Sequence, residues 1–303
     1  MTSDRPVAAP FTARDWLLVI CTVLMWGSSF IFIKLGLEDF APASITWLRI
    51  ALGAVTLALI PAARTPLRDR RDWGGVVALG IVWMAAPFLL FALAQQHIPS
   101  ALAGMINGSA PLFTAVVALL WFHDVPDARL MLGLLIGFGG VVAIGLPNVD
   151  GAASLWAVVM VLGAAACYGI AFNITGPLQR RNGALPVIWR AQLVGGAIVT
   201  PFGVPQLVTA TPSVTGALAM LALGALGTGI AYVFFTDVIG RVGASRASVT
   251  TYLLPVVALV IGVVFAGESI APLSLVGIAL VLLGAYIATS ARRPPRPARP
   301  AEA

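Results

Sequence analysis

SALAGMINGSAPLFTAVVALLWFHD at residues 100–124 and ASRASVTTYLLPVVALVIGVVFAGE at 244–268 lie over one another without a gap, at an offset of 144. Each holds an apolar run long enough, at 1.5 Å per residue, to cross a hydrocarbon core of about 30 Å as a helix. Pro111 meets Pro255 inside the run, and Asp124 meets Glu268 in the turn that follows it. The register continues downstream, where Gly133 meets Gly277 and Gly140 meets Gly284. Upstream, at an offset of 142, WGSSF at 26–30 meets YGIAF at 168–172, and Trp47 and Gly53 meet Trp189 and Gly195. In a chain so rich in Ala, Leu and Val, these rarer residues carry the repeat, not overall identity.

Apolar stretches of spanning length recur near 16–36, 42–61, 74–94, 99–121, 129–146, 154–175, 185–205, 214–238, 244–265 and 270–290. The expected fold is therefore an all-α integral membrane protein, with ten transmembrane helices as two inverted five-helix repeats. Five spans per half is an odd number, so the second half enters the membrane upside down. The expected divisions are a cytoplasmic arm (1–15), a first repeat (16–146), an outer linker (147–153), a second repeat (154–290) and a disordered cytoplasmic tail (291–303). With both termini cytoplasmic, Arg5, Arg14, Arg64, Arg68, Arg70, Arg71, Arg129, Arg180, Arg181, Arg241, Arg246, Arg292, Arg293, Arg296 and Arg299 all lie on the inner side. The outer connections then hold no Lys or Arg but do carry Glu38, Asp39, Asp150 and Glu268, the bias that sets orientation during insertion.

Composition agrees with lipid as the solvent: 59% of residues are hydrophobic and 10% charged, and the mean hydropathy is +0.97. The pI near 10.1 follows from loop arginines that orient the chain, with no aromatic-interleaved basic platform for nucleic acid, which is excluded as a partner. The first span follows a basic arm but is long for a signal peptide, lacks a small-residue cleavage pattern, and reads as retained. Cys21 and Cys167 fall inside spans as structural thiols. The Pro- and Arg-rich tail suits contact with anionic headgroups.

WGSSF in the first span, YGIAF in the sixth, and the doubled pattern of mid-span proline, turn acid and glycine-bearing last helix resemble the drug/metabolite transporter superfamily. The similarity is closest to its ten-span EamA-type family, which includes bacterial amino-acid exporters. That resemblance implies a basket of helices around a cavity, peripheral fifth and tenth helices, residence in the bacterial inner membrane, and export or facilitated passage of amino acids or similar metabolites. The sixth span departs from the first, with Ile170 and Ala171 where Ser28 and Ser29 stand.

Pro111 and Pro255 have no N–H to give to the carbonyls of Asn107 and Thr251, so each break sets a freed backbone oxygen beside a polar side chain at membrane depth. Two readings stand: hinged walls of a binding cavity, or simple kinks satisfied by neighbours. Trp26, Trp83, Tyr168 and Tyr232 offer aromatic faces with polar tips, and Ser29 and Asn173 add neutral polar groups. Substrate-binding candidates are thus Trp26, Ser29, Trp83, Asn107, Tyr168, Asn173, Tyr232 and Thr251, with Pro111 and Pro255 as hinges. Trp16, Trp73, Trp121 and Trp156 read as headgroup anchors. Of the charges inside spans, Lys34 can snorkel or pair with Glu38. Arg49 either meets a substrate carboxylate or is tied to Glu38, Asp39 or helix-end carbonyls.

No deep carboxylate or histidine offers an ion relay, so the carrier is expected not to be ion-coupled; a proton-coupled multidrug efflux carrier is the alternative. His97 and His123 lack matching ligands, so no metal, cofactor or enzyme chemistry is expected, and a fixed channel fits inverted halves poorly. Partners are a small-molecule solute and the lipid bilayer. Gly133, Gly137 and Gly140 share one helix face, for which packing inside a monomer is favoured over a dimer. The threading predicts that Asp150→Cys or Gln206→Cys, in a background lacking Cys21 and Cys167, reacts with an impermeant thiol reagent added outside, whereas Arg70→Cys and Arg180→Cys do not. Reversed labelling overturns the orientation.

Overall fold

The computed structural model describes residues 12–122, 128–148, 152–242 and 249–290, and all regular structure within them is helical. We number the helices α1 (Ala13–Gly36), α2 (Pro42–Ala58), α3 (Asp72–Ala94), α4 (Ser100–Asn107 continued by Ala110–Phe122), α5 (Ala128–Gly145), α6 (Ala152–Asn182), α7 (Ala184–Leu207), α8 (Val214–Leu221 continued to Val242), α9 (Val249–Ala266) and α10 (Pro272–Ser290). Six of these contain runs long and apolar enough to cross a membrane, and α2, α5, α9 and α10 carry shorter apolar runs. The chain is a multi-pass membrane protein. The sixth helix runs further than its apolar stretch, to Asn182, with Pro177 inside it. Asp124 and His123, and residues 1–11 and 291–303, lie outside the described residues.

Local chemistry sets the boundaries. Thr12 and Asp15 form a reciprocal capping box at the start of α1, and Pro42 opens α2 where its missing N–H costs nothing. Between α6 and α7 the chain reverses at Gly183, whose φ of 82° suits a residue without a Cβ. Arg190 of α7 donates to the carbonyls of Pro186, Ala63 and Arg64, which ties α7 to the short 3-10 turn Pro61–Arg64.

Glycines decide which helices touch. A Cβ added at Gly140 would lie 2.6 Å from the Gly277 carbonyl oxygen, and one at Gly284 would run into the Gly137 amide nitrogen. The glycine faces of α5 and α10 are therefore spent on each other inside one chain. In α4 and α9, Gly104 accommodates Ala258, Gly108 accommodates the Pro255 ring, and Gly262 accommodates Ala101. The two prolines singled out in the sequence thus belong to helices packed face to face.

Neither sequence half announces the two π-helical segments, Gly80–Ala85 within α3 and Ala222–Ile230 within α8. Their first residues are 142 apart, the offset of the upstream sequence overlay. The paired glycines Gly53 and Gly195 do the same work on them. Gly53 of α2 receives Thr228 of the α8 segment, and Gly195 of α7 receives the Gly80 carbonyl and Met84 of the α3 segment.

The two proline sites differ. Pro111 follows an interruption at Gly108–Ser109, where the amides of both residues turn back three positions to Met105 and Ile106, whereas Pro255 lies inside a continuous α9. Gly284→Ala should lower stability by about 1–3 kcal/mol through backbone overpacking. Gly139→Ala, with nothing within 4 Å of the added carbon, should leave the unfolding temperature of the detergent-purified protein unchanged.

Candidate solute-binding cavity

A cavity of about 70 Å³, room for several water-sized groups, lies among α1, α2, α3, α4, α6, α8 and α9. Trp26, Ser29, Trp83, Asn107, Tyr168 and Tyr232 line it, so six of the eight sequence candidates come together. Asn173 does not: its amide donates to the carbonyls of Thr114 and Gly169 and straps α6 to α4. Thr251 lies on α9, but its side chain is outside the described residues. Ala110 and Leu254, the residues just before the two prolines, also line the cavity.

The wall is a run of rings in contact. Trp26 meets Tyr232 at 5.5 Å, Tyr232 meets Trp83 at 5.4 Å, and Trp83 meets Phe172 at 5.9 Å, all edge to face. The run continues through Tyr168 and Phe91 to Phe30. Such geometries join ring edges to faces and hold the side chains in fixed orientations. Trp26 is held further by its indole N–H, which donates to the Gly227 carbonyl in the α8 π segment (3.0 Å). Ser29 donates to the Met25 carbonyl and packs against Gly227.

Several polar groups facing this space have no partner among the described residues. The Asn107 side chain, 6% exposed, has a buried and unbonded Oδ1. The Tyr168 and Tyr232 hydroxyls and the Trp83 N–H make no hydrogen bond to a described residue. A polar group left so in a dry interior costs free energy unless a ligand or water meets it.

Arg49 is the charged group in the lining. It does not take the tie to Glu38 or Asp39 that sequence proximity suggested. Its Nε donates to Thr228 Oγ1 (2.9 Å) and its guanidinium lies 3.6 Å from the Phe88 ring centre. Thr228 in turn donates to the Leu223 carbonyl five residues back, a bond the π segment creates. Sequence reading missed the partner because periodicity does not reveal a π turn.

Acids among the described residues pair near helix ends. Lys34 pairs with Glu268 at 3.0 Å, not with Glu38. Glu268 also accepts the Ser100 N–H and hydroxyl and the Ala101 N–H, all at 2.8 Å, and so caps α4 rather than its own turn. Asp39 does the same for α8 through Ser213. At the other end Asp72 pairs with Arg181 and accepts from Asn182.

This is a helical membrane bundle with an aromatic-walled cavity. The chain belongs to the EamA-like transporter family, whose pattern matches twice, over residues 15–146 and 155–290. It is similar to a probable terminal-alkyne amino-acid exporter of Streptantibioticus cattleyicolor, 29% identical over 90% of this chain and 92% of that protein. A probable amino-acid metabolite efflux pump of Salmonella typhimurium is 24% identical, over 94% and 98%. An uncharacterized inner membrane transporter of Escherichia coli is 23% identical, over 88% and 87%. A solved crystal structure superposes with a TM-score of 0.66 over 92% of this chain and 98% of the other, at 19% identity, which speaks to the fold alone. The protein is a membrane transporter.

Burial by itself would raise the pKa of Glu268, but the Ala101 N–H, Lys34 and Ser100 bonds outweigh it and hold the carboxyl below its ordinary value. A lowered folded-state pKa means that the ionised group stabilises the fold above the ordinary carboxylate range and that this contribution is lost as pH falls through it. The thermal stability of the purified protein should fall as pH drops from the ordinary carboxylate range through the lowered Glu268 value, and Glu268→Gln should flatten the dependence while lowering stability near neutral pH.

Proposed function

We propose that the protein is an inner-membrane exporter or facilitator of amino acids or related small metabolites, working by alternating access without an ion gradient. The observation that carries this reading is the cavity wall. It is built from both sequence halves, Trp26 and Trp83 from the first and Tyr168 and Tyr232 from the second. A site shared between halves can change its exposure when one half rocks against the other.

In this reading the ten helices are spans, arranged as two inverted repeats with both termini in the cytoplasm. Same-side pairing supports the threading: Lys34 with Glu268 and Asp39 with Ser213 join segments assigned to the outer side, and Asp72 with Arg181 joins segments assigned inside. The two π segments at one offset, and the mirrored notches at Gly53 and Gly195, support the repeat. The names of the Streptantibioticus and Salmonella relatives support amino-acid-like cargo.

Trp26, Trp83, Tyr168 and Tyr232 cover the apolar part of the solute, and Ser29 and Asn107 meet its polar part. Pro111 and Pro255 act as hinges. Asn173 serves as a strap in support of the site. The described residues that line the cavity include no carboxylate or histidine, which supports facilitated movement.

Reconstituted protein should equilibrate a transported amino acid without concentrating it when a proton gradient is imposed. Accumulation that collapses with a protonophore overturns the uncoupled mechanism. Asn107→Ala removes an amide that bonds to no described side chain, so it should leave folding intact and weaken apparent solute affinity up to about tenfold, roughly 1.4 kcal/mol. Pro111→Ala should reduce flux at unchanged expression.

A further inference from the structure

We propose that Arg49 is the anchor for a carboxylate on the solute, and that the site selects small organic monocarboxylates over amines, amides and cationic drugs. This rests on the reading of the cavity as the transport site and narrows it to a chemical class.

Arg49 lies about 10 Å along α2 from Pro42, at 1.5 Å per residue, and is 7% exposed. A cation in a membrane span is costly unless something pairs it. Its partners here are a neutral hydroxyl on Nε and a ring face at Phe88. Neither carries a compensating charge, and no carboxylate among the described residues pairs with it.

The single bond to Thr228 also fixes the fork. With Nε spent on Thr228 Oγ1, the two terminal nitrogens have no hydrogen-bond partner among the described residues, while the side chain lines the cavity. A planar carboxylate matches such a pair of donors. The Trp83 N–H and the Tyr168 and Tyr232 hydroxyls on the same wall can donate as well. Among the described residues, no acidic side chain lines the space to hold an ammonium. One guanidinium balances one negative charge, which fits a monocarboxylate better than a doubly charged phosphonate. The unbonded Asn107 Oδ1 can accept from an amino group, so zwitterionic amino acids fit as well as simple acids.

The test compares probes of one ring and differing heads: L-phenylalanine, 3-phenylpropionate, L-phenylalaninamide, phenethylamine and phenylphosphonate. Each is assayed for thermal stabilisation of the purified full-length protein and for inhibition of L-phenylalanine counterflow in proteoliposomes. The two carboxylates should stabilise and inhibit, and the amide and amine should do so at least tenfold more weakly. Arg49→Gln should abolish that preference. Arg49→Lys, which keeps the charge and loses the fork, should retain the preference with weaker binding, and should decide the matter with the unmodified protein if Arg49→Gln does not purify folded. The assignment is overturned if the amine or amide binds as well as the acids, if the phosphonate binds as tightly, if no probe stabilises the protein, or if Arg49→Gln keeps its acid preference. Acid-selective stabilisation without counterflow would sink the transport reading and leave the Arg49 site standing. Counterflow indifferent to the carboxylate would do the reverse.

Discussion

Helices in lipid gain little by burying apolar surface against one another, so close approach of backbones has to hold this bundle together. Gly53 and Gly195 supply that approach at its centre. Each is the notch into which a π segment of another helix settles, the α8 segment at Thr228 for Gly53 and the α3 segment at Gly80 and Met84 for Gly195. The cavity depends on both. The α3 segment carries Trp83, while the α8 segment presents the Gly227 carbonyl to Trp26 and the Thr228 hydroxyl to Arg49. A side chain at either glycine would separate helices that position the aromatic wall. The wider π turn also leaves the Thr228 carbonyl to Gln192 of α7 (2.7 Å), which adds a third helix to the same joint.

Much of this was legible in the chain. Helix positions follow from apolar length, since spanning lipid demands long runs with backbone bonds closed internally. The rarer residues that repeat, Gly53 with Gly195 and Gly140 with Gly284, are the close-packing positions, because only a missing Cβ tolerates contacts under 3 Å. Aromatic residues with polar tips found the cavity wall for the same reason: their tips want partners that lipid does not offer. What stayed hidden was long-range pairing. Lys34 has Glu38 one turn away, yet its partner is Glu268, 234 residues on. Asn173 looked like a solute ligand by depth alone and is instead occupied by the Thr114 and Gly169 carbonyls. The π segments left no trace because hydrophobic periodicity is too coarse to register one added residue per turn.

The distribution of charge connects the ends of the bundle to its middle. Glu268 and Asp39 spend their charge on the starts of α4 and α8, where helix dipoles favour anions. Asp72 is held by Arg181 and Asn182 at the opposite end, and Asp237 by Arg14. None of these acids lines the cavity, and among the described lining residues the positive charge of Arg49 has no counter-ion. Under the proposed rocking mechanism the two sets of contacts have separate tasks. Caps at the ends, each worth from a few tenths to about 2 kcal/mol, are weak enough to break and remake as one end opens and the other closes. The buried guanidinium, far costlier to leave unpaired, rewards closure around a solute that brings its own negative charge. In the proposed scheme the caps set the balance between states while Arg49 and the rings decide what is carried, with no carboxylate among the described lining residues to compete for the cation.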